Sequence, residues 1–250
     1  ETAPVQAIFE GSDASKASIA LGYIQGVTTK FSQNLVLETK DKLGMKSPLS
    51  GSIIPEPRVW YNPEMKSRIF MVPGILGLVL MISTISLMSM AIVREREIGT
   101  MEQLIVTPVK TYQLLLGKLI PFTMIGFVIL VIVMIIMTQW FGIIVRGNKL
   151  FLVFAAFLFV LSNLGIGLFI STVSKTQQQA MMASVFAVMM PMIYLSGFAF
   201  PIENMPQFFQ YITYAIPLRY FITILRGVVL KGIGISSLWV ETLILFGMGV

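Results

Sequence analysis

Of 250 residues, 56% are hydrophobic and only 12% are charged, against about a quarter charged in ordinary soluble domains. Mean hydropathy is strongly positive, more apolar surface than a soluble fold of this length can bury, so the bilayer is the solvent for much of the chain. The lack of Cys excludes disulfides and thiolate metal sites, and the lack of His removes the commonest general base. The net charge of +6 is scattered between apolar runs and forms no stripe for nucleic acid.

The chain opens at Glu1 without a start Met or leader and closes inside an apolar run too short to span. It reads as an internal piece of a longer protein, with a helix expected before residue 1 and the end of another after residue 250. Residues 1–67 are polar. Alternation over Pro4–Glu10 predicts a strand, and apolar spacing from Ala14 to about Leu37 (Ile19, Tyr23, Val27, Phe31, Leu35) predicts an amphipathic helix. A charged loop over Thr39–Lys46 and an extended, Pro-containing approach to the membrane follow. One strand and one helix are too little core for an independent domain, so 1–67 reads as the tail of an α/β domain.

From residue 68 onward the expected class is all-α: a polytopic helical bundle with a re-entrant hairpin. Spans are predicted at about 69–93, 119–138, 150–172 and 180–200, with a further one starting near 238. Pro73-Gly74 is expected to kink or delay the first span, whose Ser83, Thr84, Ser86 and Ser89 offer a small polar face for helix packing. Between the fourth and last spans, Pro201, Asn204, Pro206 and Pro217 break residues 201–231 into two short pieces, the second carrying Arg219 and Arg226. Asn204 is expected as an N-cap with Pro206 in the first helical turn. Such pieces suit a re-entrant hairpin buried against other helices, or a pair of helices lying flat at the interface.

The densest charge outside the first seventy residues lies between the first two spans, in Arg94, Glu95, Arg96, Glu97, Gly99, Thr100, Glu102 and Leu104, running on to Pro108. Gly99 permits a sharp exit from the membrane helix. Thr100 with Gln103 can form a capping box. Met101, Leu104 and Ile105 share one face of a short helix over about 98–107, a shape suited to a groove on a partner or to the lipid surface. Glu95 and Glu97, two residues apart, point to different faces and make no acid/base pair. No G-x-x-x-x-G-K-[ST] loop is present, and the spans hold no chain of buried carboxylates of the kind that marks ion-coupled pathways. An outside source of energy is therefore favoured. Lys and Arg near the spans do not decide which side this segment faces.

Four stretches carry a resemblance: Arg58-Val-Trp-Tyr-Asn-Pro63 leading to Val72-Pro73-Gly74; Arg94-Glu-Arg-Glu97-x-Gly99-Thr100-x-Glu102-x-Leu104 with Thr107-Pro108 and Leu116-Gly117-Lys118; Leu195-Ser-Gly197-Phe-x-Phe-Pro201 with Asn204-Met-Pro206; and Ile216-Pro217-x-Arg219-Tyr220. In that order they resemble the permease subunit of ABC exporters of the type-2 membrane family, in the branch with a large extracytoplasmic domain between its first two helices. The resemblance implies a permease of a bacterial cytoplasmic membrane, paired with a second permease and driven by two cytoplasmic ATPase subunits that bind ATP and Mg. A periplasmic adaptor protein is a further partner of this kind of system. It implies no cofactor in this chain, a cytoplasmic coupling helix after Arg94, and residues 1–67 outside the cytoplasm. The pathway is then expected at the permease–permease interface, lined by Ser83, Ser86, Met181 and Met189. An energy-independent channel or scramblase and an ATPase-driven scaffold are the alternatives of other classes.

Overall fold

The structure, a computed structural model, describes residues 14–43, 66–100 and 110–249. These fall into two units, one ending at Phe70 and the other running from Met71. In the first, α1 spans Ala14–Leu43. It is longer than expected, and the loop predicted from Thr39 is helical as far as Leu43. Glu, Lys and Leu are good helix formers, and no Gly or Pro interrupts them before Gly44. The apolar residues Ile19, Tyr23, Val27, Phe31 and Leu35 are exposed, while Ala20, Leu21, Ile24, Thr28, Ser32 and Val36 are half-buried. A strict four-residue spacing winds about 40° per step around a 3.6-residue helix, so the five residues do not form one face. The strand expected over Pro4–Glu10 and the extended approach after Gly44 lie outside the described residues.

Among the described residues, four helices are long and apolar enough to cross a membrane. Helix α2 covers Ser67–Ile98 and α3 covers Thr111–Ile135, continuing into a π-helical turn at Ile136–Trp140. Pro73 lies within α2 and does not delay its start. α3 begins eight residues before the expected span, taking in Gly117 and Lys118. The Gln113 side chain accepts from the Lys110 N–H (3.1 Å) at its start, and Lys118 is paired with Glu95, which makes its charge tolerable there. Helix α4 spans Lys149–Val173, and Asn148 Oδ1 caps it by accepting from the N–H groups of Leu150 (2.9 Å) and Phe151 (3.4 Å).

The fourth crossing has three parts: α5 (Gln177–Met182), a π-helical stretch (Ala183–Met189) and α6 (Met190–Leu195). It stops five residues short of the expected end, where Gly197 takes φ +79° and the Ser196 hydroxyl accepts from Phe198 N–H (3.3 Å). A short 3-10 turn, Ile202–Asn204, leads to α7 (Gln207–Thr213), then α8 (Pro217–Arg226) with a π-helical end at Gly227–Lys231, and finally α9 (Trp239–Gly249). Asn204 is not the N-cap expected of it. It closes the 3-10 turn, Met205 is extended, and Pro206 occupies the cap position of α7.

Burial places the core at α2 and α4. Half of the apolar window of α2 and 56% of that of α4 are buried, against 11% for α3 and 17% for the fourth crossing. Lipid gives helices no hydrophobic reason to associate, so close packing and small residues must hold them. A Cβ on Gly167 of α4 would stand 2.9 Å from both the Ile85 carbonyl oxygen and Met88 Cβ of α2. Met88, Ile92, Val160 and Leu164 cluster around this contact. Higher up α4, Phe159 stacks on Phe221 of α8 with ring centroids 4.3 Å apart. The π-helical end of α8 leaves carbonyls without helical donors, and the loop before α4 supplies them: Gly147 N–H bonds Val228 O (2.9 Å) and Arg146 N–H bonds Val229 O (3.4 Å).

Candidate functional site

Arg94, Glu95, Arg96 and Glu97 complete α2 as one uninterrupted helix to Ile98, instead of leaving the membrane helix as a separate segment. Gly99 then turns the chain with φ +81°, a conformation that an L side chain would strain. The Thr100 hydroxyl donates back to the Glu95 carbonyl (3.1 Å). Gln103, Glu102, Leu104 and Pro108, and with them the predicted capping box and apolar face, lie outside the described residues.

The charged side chains reach three neighbouring helices. Lys118 of α3 donates to Glu95 Oε2 across 23 residues of chain. Arg96 Nη1 donates to the Ser174 carbonyl at the end of α4 (3.0 Å). The Glu97 carboxylate takes two hydrogen bonds from Gln177, the first residue of α5: backbone N–H to Oε1 at 3.1 Å and Nε2 to Oε2 at 2.6 Å. The α5 turn is itself set by Thr176 Oγ1, which accepts from Gln179 N–H (3.2 Å), and by Gln179 Oε1, which accepts from Lys175 N–H (2.9 Å). Three consecutive residues of α2 thus reach α3, the end of α4 and the start of α5. Arg94 is exposed.

Lys118, Ser174 and Gln177 were not among the expected site residues. Lys118 closes one of the stretches that carry the resemblance, and Ser174 and Gln177 flank a short polar turn, but neither signal says which charge each one meets.

Ser83 and Ser86 are half-buried on one stripe of α2 and Met181 is exposed, but Met189 is buried in the chain's own interior. One turn below Ser86, Ser89 and Ser184 share a buried hydrogen bond (3.0 Å) that ties α2 to the π-helical stretch of the fourth crossing. In the broken region, α7 and α8 meet at 80°. Pro217 opens α8, where its missing N–H costs nothing. Arg219 fixes this corner: its Nη1 donates to Thr213 Oγ1, and its guanidinium lies 4.1 Å from the centroid of the Tyr214 ring. The Tyr220 hydroxyl donates to the Tyr214 carbonyl (2.9 Å). Pro201 caps the 3-10 turn. No cluster of acidic side chains among the described residues is arranged to hold a metal ion.

The model of the family described as ABC-2 family transporter protein matches residues 1–250. The chain is 35% identical over 239 residues to the "Probable multidrug ABC transporter permease YbhR" of Escherichia coli strain K12, covering 96% of this chain and 62% of that protein. It is 36% identical over 231 residues to the "Probable multidrug ABC transporter permease YbhS" of the same organism, covering 92% and 60%. The "Inner membrane transport permease YhhJ" of that strain is 25% identical over 248 residues, covering 98% and 64%. The chain thus spans about three fifths of the length of these curated relatives. With apolar helices that can cross a membrane, a charged helix end joining them, and a match over its whole length, the chain belongs to the ABC-2 transporter family.

Proposed function

We propose that the chain is the transmembrane part of a permease subunit in an ATP-driven exporter of a bacterial inner membrane. The observation that carries this is the family match over all 250 residues, supported by relatives named as multidrug ABC transporter permeases. ATP is bound together with Mg and hydrolysed by partner ATPase subunits. A second permease completes the pathway, and a periplasmic adaptor protein is a further partner. The segment that leaves α2 at Gly99 faces the cytoplasm and docks on the ATPase through Glu102, Leu104 and the residues up to Pro108, while residues 1–67 and the α7–α8 hairpin face the other side. Closure of the ATPase pair pushes on this segment and tilts α2 and α3. Ser83, Ser86 and Met181 line the pathway, with Met189 packed behind them. Flexible Met side chains suit varied apolar substrates, and the cargo is drug-like, lipid or polysaccharide.

The test is retention of the partner. In the full-length permease, Leu104→Asp and Glu102→Lys are expected to abolish co-purification of the ATPase while leaving the permease monodisperse in detergent. Unchanged co-purification in both variants refutes the docking assignment.

A further inference from the structure

The fourth crossing and α2 are tied at two levels. At their common end, Glu97 holds Gln177 through a backbone and a side-chain hydrogen bond (3.1 and 2.6 Å). Deeper, Ser89 and Ser184 share their buried bond (3.0 Å). From Glu97 back to Ser89 is eight residues, and from Gln177 on to Ser184 is seven. At 1.5 Å per residue the two ties are about 12 and 10 Å apart on their respective helices, so they fall in register on an antiparallel pair. One tie would leave a hinge. Two ties in register fix both the spacing and the slide of one helix on the other.

We infer that Glu97 is a strut: a positioning residue that makes the first half of the fourth crossing move with α2 as one body. Nothing covalent joins the two helices here, since Glu97 and Gln177 are separated by 80 residues of chain. A push on the segment after Gly99 enters α2 directly and reaches the fourth crossing only through contacts such as this one. The carboxylate makes the link directional, because it accepts from the N–H of the first residue of α5 and from that residue's own amide. Both ends are solvent-accessible. The link therefore adds little to stability, and its role is geometric. Arg96 extends the same body to the end of α4 through the Ser174 carbonyl. The strut rests on reading the segment after Gly99 as the ATPase contact.

The test uses the full-length permease with its ATPase in nanodiscs. These 250 residues contain no Cys, so spin labels at Ile75→Cys and Met182→Cys report the α2–fourth-crossing distance without background from this region. With Ser89 level with Ser184, the labelled positions are about 24 Å apart along the helix axes, within the range of pulsed electron double resonance. In the otherwise native complex, the distance should change by less than about 2 Å between the nucleotide-free and the ATP–vanadate-trapped state. With Glu97→Ala and Gln177→Ala added, it should change by more than that or broaden on trapping, with the ATPase still co-purifying.

A larger change in the native complex overturns the strut, because the contact would then be opening. An unchanged distance in the double-alanine variant also overturns it, because the contact would be inert. Loss of the ATPase from that variant overturns it too, since Glu97 would then be a docking residue. Failure of the coupling reading is separate: it shows as an ATPase that stays bound to Leu104→Asp.

Discussion

The contact between α2 and α4 sets up a paired experiment within a single helix. Gly165 and Gly167 are two residues apart in α4, but a Cβ at Gly165 meets nothing within 4 Å, whereas one at Gly167 meets the Ile85 carbonyl oxygen and Met88 Cβ at 2.9 Å. Relaxed contacts between such atoms lie at about 3.5–4.0 Å, so α2 and α4 must separate by about 0.5–1 Å to admit Ala at 167. The Ile85 oxygen is backbone and cannot rotate away. Such overpacking costs about 1–3 kcal/mol. At 165, the same substitution replaces a glycine inside a helix and should gain up to about 1 kcal/mol. Gly167→Ala should thus lower the thermal unfolding midpoint of the purified permease in detergent, while Gly165→Ala leaves it unchanged or raises it. Equal behaviour of the two variants would refute the close approach of α2 and α4.

Three further outcomes follow from named contacts. Gly147→Ala places a Cβ 2.8 Å from the Val228 carbonyl oxygen, so it should break the pairing that satisfies the π-helical end of α8 and lower the midpoint, again by about 1–3 kcal/mol. A midpoint equal to wild type would show that the loop can move aside. Phe221→Ala removes a fully buried ring stacked on Phe159 and should cost about 3–5 kcal/mol, read as a midpoint shift larger than that of any glycine variant. In a double-mutant cycle, Glu95→Ala and Lys118→Ala should couple by less than about 1 kcal/mol, because the two side chains retain 34% and 13% of their exposure. A coupling well above that would mean the pair is effectively buried.

The spans were legible because a long run of uncharged apolar residues has one outcome in a bilayer, and α4 matches its expected limits to within a residue at each end. Pro217 was legible as a break, since a residue without an N–H belongs at a helix start. Helix ends beside charges were not: α3 starts earlier than hydropathy suggests because Glu95, more than twenty residues upstream, neutralises Lys118. The π-helical stretches were also hidden, as a shift of hydrogen bonding by one residue leaves no composition signature. Glu95, Arg96 and Glu97 stand out in sequence as a charged stretch between two apolar runs, but sequence spacing says only which face of a helix each occupies. Their partners Lys118, Ser174 and Gln177 come from α3, the end of α4 and the start of α5, and only the packing of α2 against all three brings them within reach. Asn204 missed its cap because two prolines close by, Pro201 and Pro206, left the extended Met205 between turn and helix.

The proposed function is export with energy supplied by a partner. Its most direct test is dye uptake into inverted vesicles holding the full-length permease, with and without its ATPase, using ethidium and a neutral lipophilic dye as probes. Dye should accumulate only when ATP, Mg and the ATPase are all present, and not with Leu104→Asp. Equal dye movement without ATP or ATPase would contradict it, and would mean that the membrane helices conduct on their own.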